Sequence, residues 1–233
     1  MNSNSVRPTL YIGLGGTGGE VLLALRRKIL MNSWGSQDKK VKLSSLSEFP
    51  LAQFIHFDLD NGAFIDSVST QSEDLLFHSI KFTDEEKIVE SFDMNKYSRD
   101  DEALDKYPHI KEWLPLTPNK IRELNIDPSK GAGQIRAISR LYFFDKYTKV
   151  RDKIRFKLKT LKAGLSYESK LSQLGLKTEA NRCRIVVVCS AAGATGSGSF
   201  LDMGWLAHWL AYSDNYDADV ELMLVMPTAY SGR

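Results

Sequence analysis

The stretch Ser190-Ala191-Ala192-Gly193-Ala194-Thr195-Gly196-Ser197-Gly198 carries nothing larger than threonine, and it separates two strongly patterned segments. Before it, Ile185-Val186-Val187-Val188-Cys189 is a continuous, β-branched apolar run. Such a run reads as a strand buried on both faces, as in a parallel sheet. After it, Phe200, Leu201, Trp205, Leu206, Trp209 and Leu210 recur at helical spacing. A strand, a small-residue turn and a helix in succession offer backbone N–H groups and a helix N-terminus to a phosphate. Gly and Ala leave those amides approachable, because any larger Cβ substituent holds an anion away. A plain Gly/Ser turn in an α/β fold would have the same composition, so the rest of the chain has to decide.

A second unit of this kind opens the chain. Thr9-Leu10-Tyr11-Ile12 reads as a strand, Gly13-Leu14-Gly15-Gly16-Thr17-Gly18-Gly19 as a loop, and Glu20 as the start of a helix. Val21, Leu22, Ala24, Leu25 and Ile29 form the helix's apolar face, and Arg26, Arg27 and Lys28 lie toward its C-terminal end, where cations suit the dipole. Gly13, Gly15 and Gly18 fit GxGxxG, whose common reading is a dinucleotide-binding turn. That fold expects a ribose-binding acid about 20 residues past the glycines. Here the acidic turn Asp58-Leu59-Asp60-Asn61-Gly62 follows the strand Gln53–Phe57, 40 residues past Gly18. Carboxylates at that place can hold a hydrated Mg2+ or bond a ribose hydroxyl, while Asp-Asn-Gly is also a common turn sequence.

A third small-residue turn, Gly131-Ala132-Gly133-Gln134, precedes a helical pattern expected to run unbroken from Ile135 to a stop at Gly164. Its later part is basic, with Lys146, Lys149, Arg151, Lys153, Arg155, Lys157, Lys159 and Lys162 against Asp152 alone. This stretch, 146–162, reads as a solvated face or as a contact for an acidic partner, a membrane surface or nucleic acid. Asn32–Ser47 reads as a polar loop, and residues 65–130 as irregular with short helices. Within the latter, Thr83-x-x-Glu86 is a capping-box pattern, and Thr117-Pro118 an N-cap followed by proline. Val220–Met226 is the last expected strand.

The length of 233 residues suits one sizeable α/β domain, and 42% hydrophobic with 26% charged residues is ordinary for a globular chain. No apolar run approaches the roughly 20 residues that span a bilayer. The start MNSNSVRPT lacks the apolar core of a secretory signal, so a cytoplasmic location is expected. Cys183 and Cys189 share one strand at about 3.3 Å per residue, roughly 20 Å apart and beyond disulfide reach. His56, His78, His109 and His208 are scattered, with no metal-ligand spacing.

The set of turns resembles the tubulin/FtsZ superfamily of GTPases, most closely the divergent prokaryotic tubulin-like proteins. Ala192 to Gly198 is similar to the GGGTGSG signature that cradles phosphates, with Ala192 and Ala194 at two of its glycine positions. Gly13 to Gly19 is similar to the glycine loop after the first strand, and Glu20 falls where Asn or Gln reaches the nucleoside. Phe57-Asp58-Leu59-Asp60 resembles V-D-L-E, which implies Asp60 near Mg2+. Gly131-Ala132-Gly133-Gln134 is similar to the GAG-N turn facing the γ-phosphate, and Met226-Pro227-Thr228 to the segment that approaches the ribose.

The resemblance implies a Rossmann-like parallel sheet with helices on both faces. It implies a single nucleotide-binding domain over residues 1–233, with an insertion at roughly 66–130. It implies GTP or GDP with Mg2+, contacted by Gly15, Gly16, Thr17, Gly18, Gly19, Glu20, Asp58, Asp60, Gly131, Ala132, Gly133, Gln134, Gly193, Ala194, Thr195, Gly196, Ser197, Gly198 and Thr228. The phosphates would be held by amides of Gly16–Gly19 and Ala194–Gly198 and by the hydroxyls of Thr17, Thr195 and Ser197. It also implies self-association into filaments or oligomers. The family's base-reading helix and water-activating acidic loop would follow Arg233. No catalytic residue is therefore expected here, and hydrolysis would be completed by a neighbouring subunit or a C-terminal half. Two alternatives remain at this stage. One is a tubulin-like scaffold without hydrolysis. The other is an NAD(P)-binding Rossmann oxidoreductase using Gly13, Gly15 and Gly18, with Asp58 on the ribose.

Overall fold

Short apolar strands that alternate with amphipathic helices have one stable packing solution, a parallel sheet between helical layers. The computed structural model describes residues 4–36, 38–60, 80–164, 166–178 and 181–230. The strands of its main sheet are β1 (Thr9–Leu14), β2 (Ala52–Phe57), β3 (Lys87–Ile88), β4 (Arg182–Ser190) and β5 (Asp217–Val225). They form one sheet in the order β3-β2-β1-β4-β5, every pair parallel. The principal helices are α1 (Gly15–Met31), α2 (Arg136–Asp145), α3 (Tyr147–Gly164) and α4 (Ala194–Ser213).

Two cores hold the layers together. On one face α1 buries Leu22, Leu23 and Ile29 with Phe54, Val186 and Val188 of the sheet. On the other, α2, α3 and α4 bury Ile138, Leu141, Ile154, Leu158, Leu206 and Leu210 with Leu10, Ile12, Ile55 and Val187. The α/β class with helices on both faces is as expected. The sheet order reverses at β1, between β2 and β4, and in open α/β sheets the ligand crevice lies at such a switch point. Gly13 stands beside His56 on one side and Val188 on the other, so the three strands end level. Residues just past β1, β2 and β4 therefore share one edge.

The structure corrects several element boundaries. Gly15–Gly19 and Ala194–Gly198 are the opening turns of α1 and α4, not loops. The helix expected from Ile135 to Gly164 is broken at Lys146 (φ −98°, ψ 10°). There the Asp145 carboxylate accepts from Lys96 Nζ at 2.9 Å and Tyr97 Oη at 2.7 Å, tying the preceding segment to the break. In the expected polar loop, Ser33–Ser36 and Lys39–Lys42 pair as an antiparallel hairpin. Thr117 caps its short helix as expected, accepting from Lys120 N at 3.2 Å, with Pro118 next. The Glu86 carboxylate accepts from Thr83 N at 2.9 Å as a capping box would have it, but Glu86 N donates to the Thr83 carbonyl rather than to its hydroxyl, and the bonds close a turn leading into β3 rather than a helix. The Asn61-Gly62 turn and much of the start of the expected insertion lie outside the described residues.

Two apolar patterns are not buried as they read. On α4, Leu201, Trp205 and Trp209 face outward, while Met203, Leu206 and Leu210 face the sheet. Val220, Leu222, Met223 and Leu224 of β5 are exposed. The basic stripe of α3 is largely engaged inside the protein. Lys149 pairs with Glu90, Lys153 donates to Asp84 O at 2.6 Å, and Lys162 donates to Asp214 O at 3.1 Å. Cys183 and Cys189 are free thiols buried in β4, as expected. No helix among the described residues is long and apolar enough to cross a membrane.

Candidate functional site

The site begins where β1 turns into α1. Gly15 has φ +69°, a left-handed conformation that costs other residues about 1–2 kcal/mol. The helix starts there with no side-chain cap and no acid in its first turn. The same holds for α4, whose N-cap is Gly193. Each start leaves backbone N–H groups unsatisfied by the helix at the positive end of its dipole, a ready anion site. The two starts touch: a Cβ built on Gly15 would lie 3.3 Å from Thr195 Cβ and 3.8 Å from Gly196 N.

The glycines at this edge divide into two kinds. A Cβ on Gly18 would lie 2.6 Å from Val188 O, and one on Gly196 would lie 2.5 Å from Cys189 Cβ. A Cβ on Gly198 would strike Arg136 O. These three let helices press against strands or against one another. Gly16, Gly131 and Gly193 meet nothing within 4 Å, so they border open space. Neither Ala192 nor Ala194 has a positive φ, so alanine sits at these positions without backbone strain.

The third turn is drawn to the same edge. Gly131 and Gly133 have φ +99° and +56°, and Gln134 has φ +61°. A non-glycine residue held there stores strain of order 1 kcal/mol or more. Behind the turn, Ser139 Oγ donates to Thr195 O at 2.9 Å, fastening α2 to the first turn of α4. Ala132 is buried while Gly133 and Gln134 are exposed. On the other flank, Ala191 N donates to Val225 O at 2.9 Å, which holds the end of β5, three residues before the exposed Thr228, beside the β4–α4 turn.

Several side chains are engaged differently from expectation. Thr195 Oγ1 donates to Asp58 Oδ1 at 3.0 Å, and Ser197 Oγ donates to Gly193 O at 2.5 Å. Both hydroxyls thus order the start of α4 rather than facing open space. Asp58 is buried, and its Oδ1 also accepts from Leu59 N at 2.8 Å. Burial raises its carboxyl above the ordinary value, against the opposing pull of the Thr195 hydroxyl and the Asp60 and Leu59 amides. Asp60 is half-buried, Glu20 is exposed, and Thr17 is half-buried in the first turn of α1. Among the described residues no group of three or more His, Cys, Asp or Glu could hold a metal alone.

Sequence reading missed His56 and Arg136. His56 is buried on β2, with Nε2 3.3 Å from Gly15 O and its ring stacked on Phe82 at 5.2 Å. Burial lowers its pKa to about 4, Lys87 adds to the lowering, and the Gly15 carbonyl opposes it. An unfolded chain would protonate His56 near the ordinary imidazole value of 6.5. Acid therefore favours unfolding, and this contribution to stability is lost as pH falls from about 6.5 toward 4. At roughly 1.4 kcal/mol per unit the window is worth at most about 3.5 kcal/mol. Asp58 acts with opposite sign, since the folded protein takes up its proton first. Thermal melts of wild type and His56→Gln across pH 4–7 isolate the histidine: the wild type should lose stability toward acid more steeply than the variant. Parallel curves would contradict the assignment. The sequence signal for Arg136 was its position two residues after Gln134, at the mouth of a helix already singled out.

A family model described as tubulin-like matches residues 10–233. No curated protein and no solved structure matches the chain.

Proposed function

Because the chain belongs to the tubulin-like family, we propose that its β1/β4 crevice binds GTP or GDP with Mg2+ and that the bound nucleotide governs self-association into filaments or oligomers. The observation that carries this reading is the meeting of two uncapped helix starts at Gly15 and Thr195, with Gly16 and Gly193 bordering open space. Backbone amides of Gly16–Gly19 and Ala194–Gly198 hold the phosphates. Asp58 and Ser139 fasten Thr195, so the α4 amides are oriented before any ligand arrives. Asp60 orients a water of the metal's shell. A Mg2+ held there would supply charge neutralisation to the phosphates. The Gly131–Gln134 turn closes the crevice on the α2 side, and Thr228 approaches the ribose. Residues 1–233 act in this reading as one nucleotide-binding domain in the cytoplasm. Hydrolysis is completed by a neighbouring subunit or by a C-terminal part.

The oxidoreductase alternative needs Asp58 on a ribose. Its burial and its bonds to Thr195 and Leu59 weigh against that role. A scaffold without nucleotide control is separated by light scattering with and without GTP.

Gly193→Val tests the cradle. Gly193 has extended backbone (φ −83°, ψ 147°), which valine adopts readily, and its Cβ direction is open. The variant should melt within a few degrees of wild type, while calorimetry in Mg2+ shows GTP and GDP affinity reduced at least about tenfold, or ~1.4 kcal/mol. Absence of guanine-nucleotide binding by the wild type, or unchanged affinity in the variant, would overturn the proposal.

A further inference from the structure

The cradle described above consists of amides, and the carboxylates near it (Glu20, Asp58, Asp60) have the wrong sign for a polyphosphate. A triphosphate brings several negative charges, so a fixed cation at the crevice is the missing part. Lys130 in the third turn lies 3.6 Å from Asp127. Arg140 is engaged twice over. Its guanidinium forms a two-pronged pair with Asp202 at 2.8 and 2.9 Å and lies over the Trp113 ring at 4.4 Å.

Arg136, one turn earlier, is different. It is the first residue of α2 and is exposed. Among the described residues it has no carboxylate within 4.0 Å, and its side chain makes one long hydrogen bond, 3.4 Å to Ala191 O. That bond lays the guanidinium across the turn between β4 and α4. The backbone beneath cannot drift. Arg136 O sits directly under Gly198, where a Cβ would strike it, and Ser139 Oγ bonds Thr195 O at 2.9 Å. An exposed guanidinium without a carboxylate partner, on a rigid base beside two helix starts, is suited to a phosphate, whose geometry its planar fork matches.

We propose that Arg136 pairs with the terminal phosphate of the bound nucleotide and so distinguishes triphosphate from diphosphate. The inference rests on the nucleotide-binding reading above. On binding, the guanidinium exchanges its long bond to Ala191 O for charge-assisted bonds to phosphate oxygens. Its side chain swings while α2 and α4 stay in place. The residue is a binding and specificity group, and no chemical step is assigned to it.

The test is calorimetric titration of GTP and GDP, each with Mg2+, into wild type, Arg136→Gln and Arg136→Lys, repeated at two salt concentrations. Arg136→Gln should fold as wild type, because it removes one long surface bond. Its GTP affinity should fall by about 10- to 100-fold, the range for hydrogen bonds to charged groups, while GDP affinity changes less than about threefold. Arg136→Lys, which keeps charge without the fork, should lie between. The salt dependence of GTP binding should be shallower in Arg136→Gln. If wild type binds GTP and GDP but Arg136→Gln loses both equally or neither, the terminal-phosphate role is wrong and the nucleotide reading stands. If wild type binds neither, both fail together.

Discussion

Gly18→Ala should leave little folded protein. The added methyl would lie 2.6 Å from Val188 O, 2.8 Å from Gly13 C and 2.9 Å from Gly13 Cα. All three atoms are backbone, on the two central strands β1 and β4, and no side-chain rotation relieves them. Either α1 lifts off the sheet, uncovering Leu22, Leu23 and Ile29, or the strands part. Overpacking of a core costs typically 1–3 kcal/mol where side chains can yield. With backbone on both sides about 3 kcal/mol is a lower bound, against a total stability of about 5–15 kcal/mol for a domain. Gly16→Ala is the matched control. Its Cβ meets nothing within 4 Å, and alanine is up to ~1 kcal/mol better than glycine within a helix. Soluble yield and thermal melts compare the two. A Gly18→Ala variant melting with wild type would refute the close-packing role.

Arg26→Met should cost about 3–5 kcal/mol, the usual penalty for removing one member of a buried ion pair. Arg26 is 3% exposed. Its guanidinium holds Glu86 at 2.7 Å and donates to Ile80 O at 2.6 Å and Lys81 O at 3.0 Å. It lies between the rings of Phe54 and Phe82, 4.8 and 4.9 Å from their centres. One side chain thus pins residues 80–86 to α1 and β2. Without it, Glu86 is left as a nearly buried carboxylate holding only Thr83. The strand β3 that follows loses its anchor, because His56 N donates to Glu86 O at 2.7 Å. Hydrogen exchange should therefore quicken first in residues 80–88. The double change Arg26→Met with Glu86→Met should recover much of the loss, since apolar replacements of buried pairs are often near neutral. A double variant as unstable as the single would show that the contacts to Ile80 O and Lys81 O, not the charge pair, dominate.

The frame of the fold was legible because apolar runs declare themselves. Val186 to Cys189 and Phe54 to Phe57 read as strands, and the glycine pattern after β1 marks a turn. The helix starts were not legible. Glycine is a poor helix former, so Gly15–Gly19 and Ala194–Gly198 read as loops. Close packing against Val188 O and Cys189 Cβ overrides that propensity, a tertiary effect that no local pattern carries. Two-residue β3 has no periodicity to detect. The exposure of β5 was hidden because edge and centre strands can share an apolar composition. At the site, the positions of the turns were readable from their small residues. The commitment of Thr195 to Asp58, and the freedom of Arg136 beside the engaged Arg140, depend on contacts between segments more than 50 residues apart in sequence.

The level ends of β1, β2 and β4 have a consequence for how such a chain tolerates mutational drift. The groups offered to the crevice are peptide amides, and an amide is the same whichever amino acid carries it. Substitution can rewrite nearly every surrounding side chain without altering the donors, provided a few positions stay small enough for helix and strand to touch. Ala192 and Ala194 are two such replacements absorbed without distortion. Ancestry in a protein of this design is written in where side chains are missing more than in which ones are present.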